Sequence, residues 1–179
     1  TFNAAGTILD GTDYLLVATQ DYVLVDKEIV SPSVDGTIAG VLSGSGGFLK
    51  DGTATVTLTG TNTYTGETNV NDGGLIINGS AASSSVVVNT GGTLGGSGTI
   101  GDVGVASGGT VAPGYSPGRL KTGSFNLMLG ATLDIEINGK IVATEYDQVE
   151  VTGTVTLAGA LNPIGGYAYT ETDTQTVIN

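Results

Sequence analysis

The chain has 179 residues, with 31 Gly, 27 Thr and no Cys, His or Trp. It carries a net charge of −12, and only 12% of its residues are charged. Without His or Cys there is no imidazole or thiolate zinc site, no Cys nucleophile, no Ser-His-Asp triad and no disulfide. Four Pro, and glycines without a three-residue period, exclude collagen. A 39% hydrophobic share and a mean hydropathy of +0.23 argue against disorder. The acidic surface repels phosphate backbones and anionic lipids, so nucleic acid is not an expected partner. Charge is uneven. The acids concentrate in residues 1–51 and 132–179, and the middle is nearly uncharged. No apolar run reaches membrane-helix length, and no signal-peptide pattern opens the chain. Thr1 reads as an internal boundary or a processed end.

In chain order, the first long stretch without Gly or Pro is Thr12 to Ser31. Asp13-Tyr14-Leu15-Leu16-Val17 is echoed eight residues later by Asp21-Tyr22-Val23-Leu24-Val25. Aromatic and β-branched residues dominate, so two short strands are expected rather than a helix. After Gly40 the texture changes. Short apolar runs alternate with glycine pairs: Val56 and Leu58, Val70, Leu75-Ile76-Ile77, Val86-Val87-Val88, Leu94, Ile100, Val103, Val105 and Val111. Each run has strand length, far below helix length.

The glycine pairs recur. Gly73-Gly74, Gly91-Gly92 and Gly108-Gly109 lie 18 and 17 residues apart, and Gly130 and Gly153 follow after 22 and 23. A period near 20 with β content is the mark of a solenoid. Corners need residues with φ > 0, which Gly supplies at no Cβ cost. Inward positions take Val, Ile or Leu, and outward positions take Thr, Ser or Asn. At about 4.8 Å per coil and roughly 20 residues each, about eight or nine coils and a rod of about 40 Å are expected. A β-sandwich competes, but it would carry more core aromatics. A calcium-binding β-roll competes less well, because Gly95-Gly96-Ser97-Gly98-Thr99 has Ile100 where that repeat needs Asp.

Residues 58–79 read LTGTNTYTGETNVNDGGLIING. Gly91-Gly92-Thr93-Leu94-Gly95-Gly96-Ser97-Gly98-Thr99-Ile100 follows, and then Ala112-Pro113-Gly114-Tyr115-Ser116-Pro117-Gly118-Arg119-Leu120. This resembles the passenger-associated repeat of Gram-negative autotransporter (type V secreted) proteins over about residues 55–160. Leu133-Asp134-Ile135-Glu136-Ile137 and Tyr146-Asp147-Gln148-Val149 are similar to the region before the membrane barrel of that family. The resemblance implies an all-β, right-handed parallel β-helix displayed or secreted at the cell surface. It also implies an organisation into 1–40 as divergent coils or a cap, 41–131 as repeat coils, and 132–179 as coils preceding a barrel that the sequence lacks. Zero Cys fits export as an unfolded chain, and coil-by-coil stacking suits folding as the chain emerges. The implied work is non-enzymatic: supporting secretion and presenting an adhesive or self-associating surface. Partners would be a host cell surface, a matrix protein or further copies of the chain, with no cofactor and no direct membrane insertion.

Several motifs imitate active sites. Gly114-Tyr115-Ser116-Pro117-Gly118 matches G-x-S-x-G, but Pro117 has no N–H for an oxyanion and no His exists to act as base. It reads as a rigid inter-coil loop. Gly96 to Gly101 matches G-x-G-x-x-G, but Asp102-Val103-Gly104-Val105 follows it as a strand rather than a helix. It reads as a coil corner. Asp134 and Glu136 share one strand face and form the candidate carboxylate pair of a β-helical polysaccharide hydrolase or lyase, the alternative function. Glu145, Asp147 and Glu150 are near in sequence. Calcium binding or a merely solvated face are the other readings of this cluster. Asn62-Thr63-Tyr64-Thr65-Gly66 reads as a turn with Tyr64 exposed, for a ligand contact or for corner packing. Thr53, Thr55, Thr57 and Thr59 form a hydroxyl row that could meet ice or glycan. Asn78-Gly79-Ser80 is a sequon of the kind that arises by chance.

Overall fold

The computed structural model describes residues 7–9, 17–18, 21–24, 28–30, 34–114, 117–170 and 172–179. Every described element is a strand or a bridge, and every strand pairing is parallel. The strands fall on three faces visited in rotation. The first face stacks Thr7–Leu9, Glu28–Val30, Phe48–Lys50, Thr68–Val70, Val86–Val88, Val103–Val105, Phe125–Leu127 and Val155–Leu157. The second stacks Val17–Ala18, Gly36–Ile38, Thr55–Leu58, Gly73–Ile77, Gly92–Gly96, Thr110–Pro113, Thr132–Glu136 and Ala160–Ile164. The third holds Ser80–Ala81, Thr99–Ile100, Arg119–Thr122 and Gln148–Val151, preceded by the separate pair Tyr22–Leu24 and Leu42–Gly44. This is a parallel β-solenoid, with Tyr22–Leu24 a strand as expected. Asp13 to Leu16 lie outside the described residues.

The first two faces each stack eight strands, so the coil count differs only slightly from the eight or nine expected. From Phe48–Lys50 to Val155–Leu157 the first face steps through five turns. Turn length is unequal. Register partners along the second face, from Val56 through Leu75, Leu94, Val111 and Leu133 to Leu161, are 19, 19, 17, 22 and 28 residues apart. The last turn is longest because residues 138–147 leave the stack between the second and third faces.

Alternation builds the core. Val56, Leu75, Leu94, Val111 and Leu133 stack in register and are at most 1% exposed. Val70, Val88, Val105 and Leu127 form a second inward ladder. Each such side chain contributes about 1.5–3 kcal/mol by leaving water. One corner shows why glycine recurs. Gly91, Gly108 and Gly130 have φ of +90°, +78° and +84°. Each lies over the last, with Gly91 N–H donating to Gly108 O (3.1 Å) and Gly108 N–H to Gly130 O (2.8 Å). A side chain at that φ is strained.

Candidate functional site

The acidic strand comes first. In Thr132–Glu136, Leu133 and Ile135 face the core and Asp134 and Glu136 face outward. Alternation thus places both carboxylates on one face, as expected. With Asp147 they line a depression of about 190 Å³ beside Pro113 and Gly114. Their partners are structural. Asp134 Oδ1 accepts from Asn162 Nδ2 of the next turn (2.8 Å), and Glu136 Oε1 accepts from Asn138 Nδ2 (2.6 Å).

Asp147 differs from its neighbours. It is 4% exposed, and its two oxygens accept Gly118 N–H (2.7 Å) and Glu136 N–H (2.8 Å). One carboxylate thus ties the 113–118 loop to the strand end where the chain leaves the stack. Burial pushes its pKa above the ordinary Asp value, against the pull of the two N–H donors. Glu145 Oε2 accepts Lys140 N–H and Ile141 N–H at 2.8 and 3.0 Å and so holds the excursion. Glu150 pairs with Arg119 at 3.0 Å and Lys121 at 3.7 Å on the third face. The five acids that the sequence groups together are therefore divided among separate structural tasks. Asp35 and Asp102 do similar work, accepting Thr55 N–H (2.7 Å) and Ser124 N–H (2.6 Å) of the following coil.

The repeat coil overturns one expectation. Tyr64 is not exposed. It is fully buried, 6.4 Å centroid to centroid from Phe48. Its hydroxyl lies 2.6 Å from Thr68 Oγ1, which lies 2.9 Å from Ser84 Oγ, which donates to Gly66 O at 2.7 Å. Burial pushes the Tyr64 phenol pKa up. The turn reading fails to place Tyr64 because the chain here makes no third-face strand. Asn62 fills the gap: its Oδ1 accepts Leu42 N–H (2.9 Å) from the coil before, and its N–H donates to Ser80 O (2.7 Å) in the coil after. Gly66 is required by contact, since a Cβ there would sit 2.4 Å from the Gly46 carbonyl carbon.

Lys50 escaped the sequence reading altogether. It is fully buried, and Nζ donates to the carbonyls of Asp51 (3.1 Å), Gly52 (2.7 Å) and Asp72 (2.8 Å). Desolvation lowers its pKa, with Asp72, Asp51 and Asp35 acting in the opposite sense. The available signal was parity: Lys50 is two residues after Phe48, so strand alternation points both inward.

The remaining motifs are placed as follows. Gly96 exchanges backbone hydrogen bonds with Gly114 at 3.2 and 2.8 Å, and Gly92–Gly96 ends at that corner. No helix follows it; Thr99–Ile100 does. Ser116 and Tyr115 lie outside the described residues. Thr55 and Thr57 are half-buried outward residues of the second face. Asn78 Oδ1 accepts Ser97 N–H at 3.2 Å.

A parallel β-solenoid whose repeat coil is closed by Asn62, Tyr64 and Gly66 is the class of structure that the fold defines. Residues 48–77 match the Passenger-associated-transport-repeat family. A 113-residue stretch, 62% of the chain, is 42% identical to the "Adhesin BmaC autotransporter" of Brucella suis biovar 1. A 79-residue stretch, 44% of the chain, is 48% identical to an "Extracellular serine protease" of Serratia marcescens. The chain spans 3% and 8% of those relatives' lengths. The chain is thus a parallel β-solenoid segment with a passenger-associated transport repeat at residues 48–77 and with similarity to a stretch of an autotransporter adhesin.

Proposed function

We propose that this segment is a non-enzymatic scaffold that supports secretion and presents an adhesive or self-associating surface outside a Gram-negative cell. The observation that carries this reading is the use of the acids. Asp134, Glu136, Glu145, Asp147 and Glu150 are each bound to backbone N–H groups, amides or cations of the stack. No carboxylate among them stands paired with another as acid and base. The adhesin relative favours the same side. The protease relative bears on this chain only as scaffold, because a chain without His cannot supply the base of a serine triad. The long outer faces of Thr, Ser and Asn are weakly charged and repeat from turn to turn, which suits contact by avidity.

The test has two arms. Purified segment is offered to host cells, to matrix proteins and to itself at micromolar concentration. Binding to at least one is expected, and binding to none removes the adhesive part. In a passenger lacking the segment, secreted yield should fall; unchanged yield removes the secretion part. Any glycan-cleaving activity that vanishes in an Asp134→Ala, Glu136→Ala double variant would restore the hydrolase alternative.

A further inference from the structure

On the first face the inward ladders are nearly interchangeable from Val86 onward. On the first face, Val86 lies over Val103 and then Phe125, and Val88 over Val105 and then Leu127. An apolar rung accepts any other apolar rung, because the hydrophobic effect has no direction. Such a stack has a specific failure: one coil loops out, and its neighbours pair with each other. Every backbone bond and every apolar contact of the slipped pair can be remade, so aliphatic rungs alone specify register weakly.

The coils before Val86 are different inside. Four of the buried polar residues among those described, Lys50, Asn62, Thr68 and Ser84, fall within residues 50–84. Lys50 occupies the ladder that continues as Val70, Val88 and Val105, and Thr68 sits between Phe48 and Val86. Their partners lie in particular adjacent coils. Lys50 Nζ reaches Asp72 O of the next turn at 2.8 Å. Thr68 Oγ1 meets Ser84 Oγ of the next turn at 2.9 Å. Asn62 bonds Leu42 behind it and Ser80 ahead of it. Together these groups link four successive turns.

We propose that this polar interior is a register key: it makes one alignment of coils 48–50, 68–70 and 86–88 satisfiable and every slipped alignment unsatisfiable. If Val86–Val88 paired directly on Phe48–Lys50, the chain from 51 to 85 would loop out. The Lys50 ammonium would lose the Asp72 carbonyl and lie against Val88. Such a buried charge without its partners is strongly disfavoured. In that loop Tyr64, Thr68 and Asn62 would also lose their partners. The key costs stability relative to an aliphatic interior, and choice of alignment is what it returns. A passenger folding coil by coil meets that choice at each turn.

The test uses the full 179-residue chain with the key made apolar: Lys50→Leu, Tyr64→Phe, Thr68→Val and Ser84→Ala. Outward cysteine pairs report register, since the chain has no Cys of its own. Asn69→Cys with Val87→Cys marks native pairing, because these residues are register partners. Leu49→Cys with Val87→Cys marks the slipped pairing, because Leu49 is the partner of Asn69 one coil earlier. Adjacent parallel strands bring Cα atoms to within disulfide range. With the key present, only the native pair should cross-link. With it removed, the chain should still fold, and the slipped cross-link should rise at least about tenfold, with doubled amide signals around residues 48–105. A folded variant that keeps a single register overturns the proposal. A variant that unfolds overturns it too, since the groups would then serve stability and not alignment. The milder pair Thr68→Val with Ser84→Ala should give the same slippage in smaller proportion, and none at all again counts against it.

Discussion

Two stretches share one pattern and end with opposite exposure. In coils 86–127 the inward residues Val86, Val88, Val103, Val105, Phe125 and Leu127 are at most 2% exposed. In the last turn, Val155 and Leu157 hold the same register positions and are 44% and 54% exposed, and Leu161, over Leu133 on the second face, is 54% exposed. The alternation of apolar residues is the same in both. What differs is neighbours. A middle rung is covered from both sides along the stack, and the terminal rung from one. Burial in a solenoid is therefore a property of position in the stack as much as of residue type.

The sharpest break in this comparison is truncation at matched ladder positions. Leu94→Ala removes a side chain enclosed by Leu75 and Val111 and should cost about 2–5 kcal/mol in urea unfolding. Leu161→Ala, on the open rung of the same ladder, should cost well under about 1 kcal/mol. Equal losses would mean that the last turn is covered as fully as the middle.

The next effect concerns how the long last turn is tied down. Asp147→Ala leaves the N–H groups of Gly118 and Glu136 without acceptors. A cost of about 1–3 kcal/mol is expected, with faster hydrogen exchange at those two amides. Exchange at Val88 and Val105 should not move. A change spread evenly along the rod would show that Asp147 does not act locally.

How far the sequence carried this reading depends on what each residue answers to. The inward parity of Val56, Leu75 and Leu94, the glycine corners at Gly91 and Gly108, and the repeat at 58–79 were legible, because sterics and periodicity act within one coil. Tyr64 was not, because its burial depends on a missing third-face strand that Asn62 replaces through contacts about one turn away on each side. Lys50 was missed, because its three carbonyl acceptors converge only once the next corner is stacked. Of the acids at 134–150, Asp134, Glu136 and Asp147 line one depression, while Glu145 holds the excursion and Glu150 lies on the third face, a division that depends on where the chain leaves and rejoins the stack.

A smaller effect distinguishes the outward acids from the buried one. Asp134→Asn with Glu136→Gln should change stability by less than about 0.5 kcal/mol, since both side chains are outward and their partners are amides at the surface. Thermal unfolding beside the Asp147→Ala variant measures the contrast. A loss from the double variant as large as that from Asp147→Ala would give the outward pair a structural weight that its exposure does not support.

The finest distinction is in the sign of acid response. Asp147 has a raised pKa in the folded chain because of burial. The native state then holds more protons than the unfolded state between the two values, so this group favours folding increasingly as pH falls through that window. Asp173 has the opposite shift. The Lys140 ammonium, Thr170 N–H and Tyr167 hydroxyl hold its carboxyl well below the usual carboxylate range. Its contribution is present above the unfolded pKa and is lost as pH falls through the depressed folded value. Acidification should therefore protonate Asp147 first, above the midpoint of an ordinary Asp, while the 140–173 contact between excursion and tail persists. Only at much lower pH should the tail amides of Thr170 and Asp173 lose protection. Carboxyl-carbon NMR titration reads both midpoints in one experiment. A midpoint for Asp173 at or above that of Asp147 would show that the tail is not pinned by Lys140, and the tail would then rest on its backbone bonds from 177–179 to Val149 and Val151 and on the bond from Gln148 to Thr176.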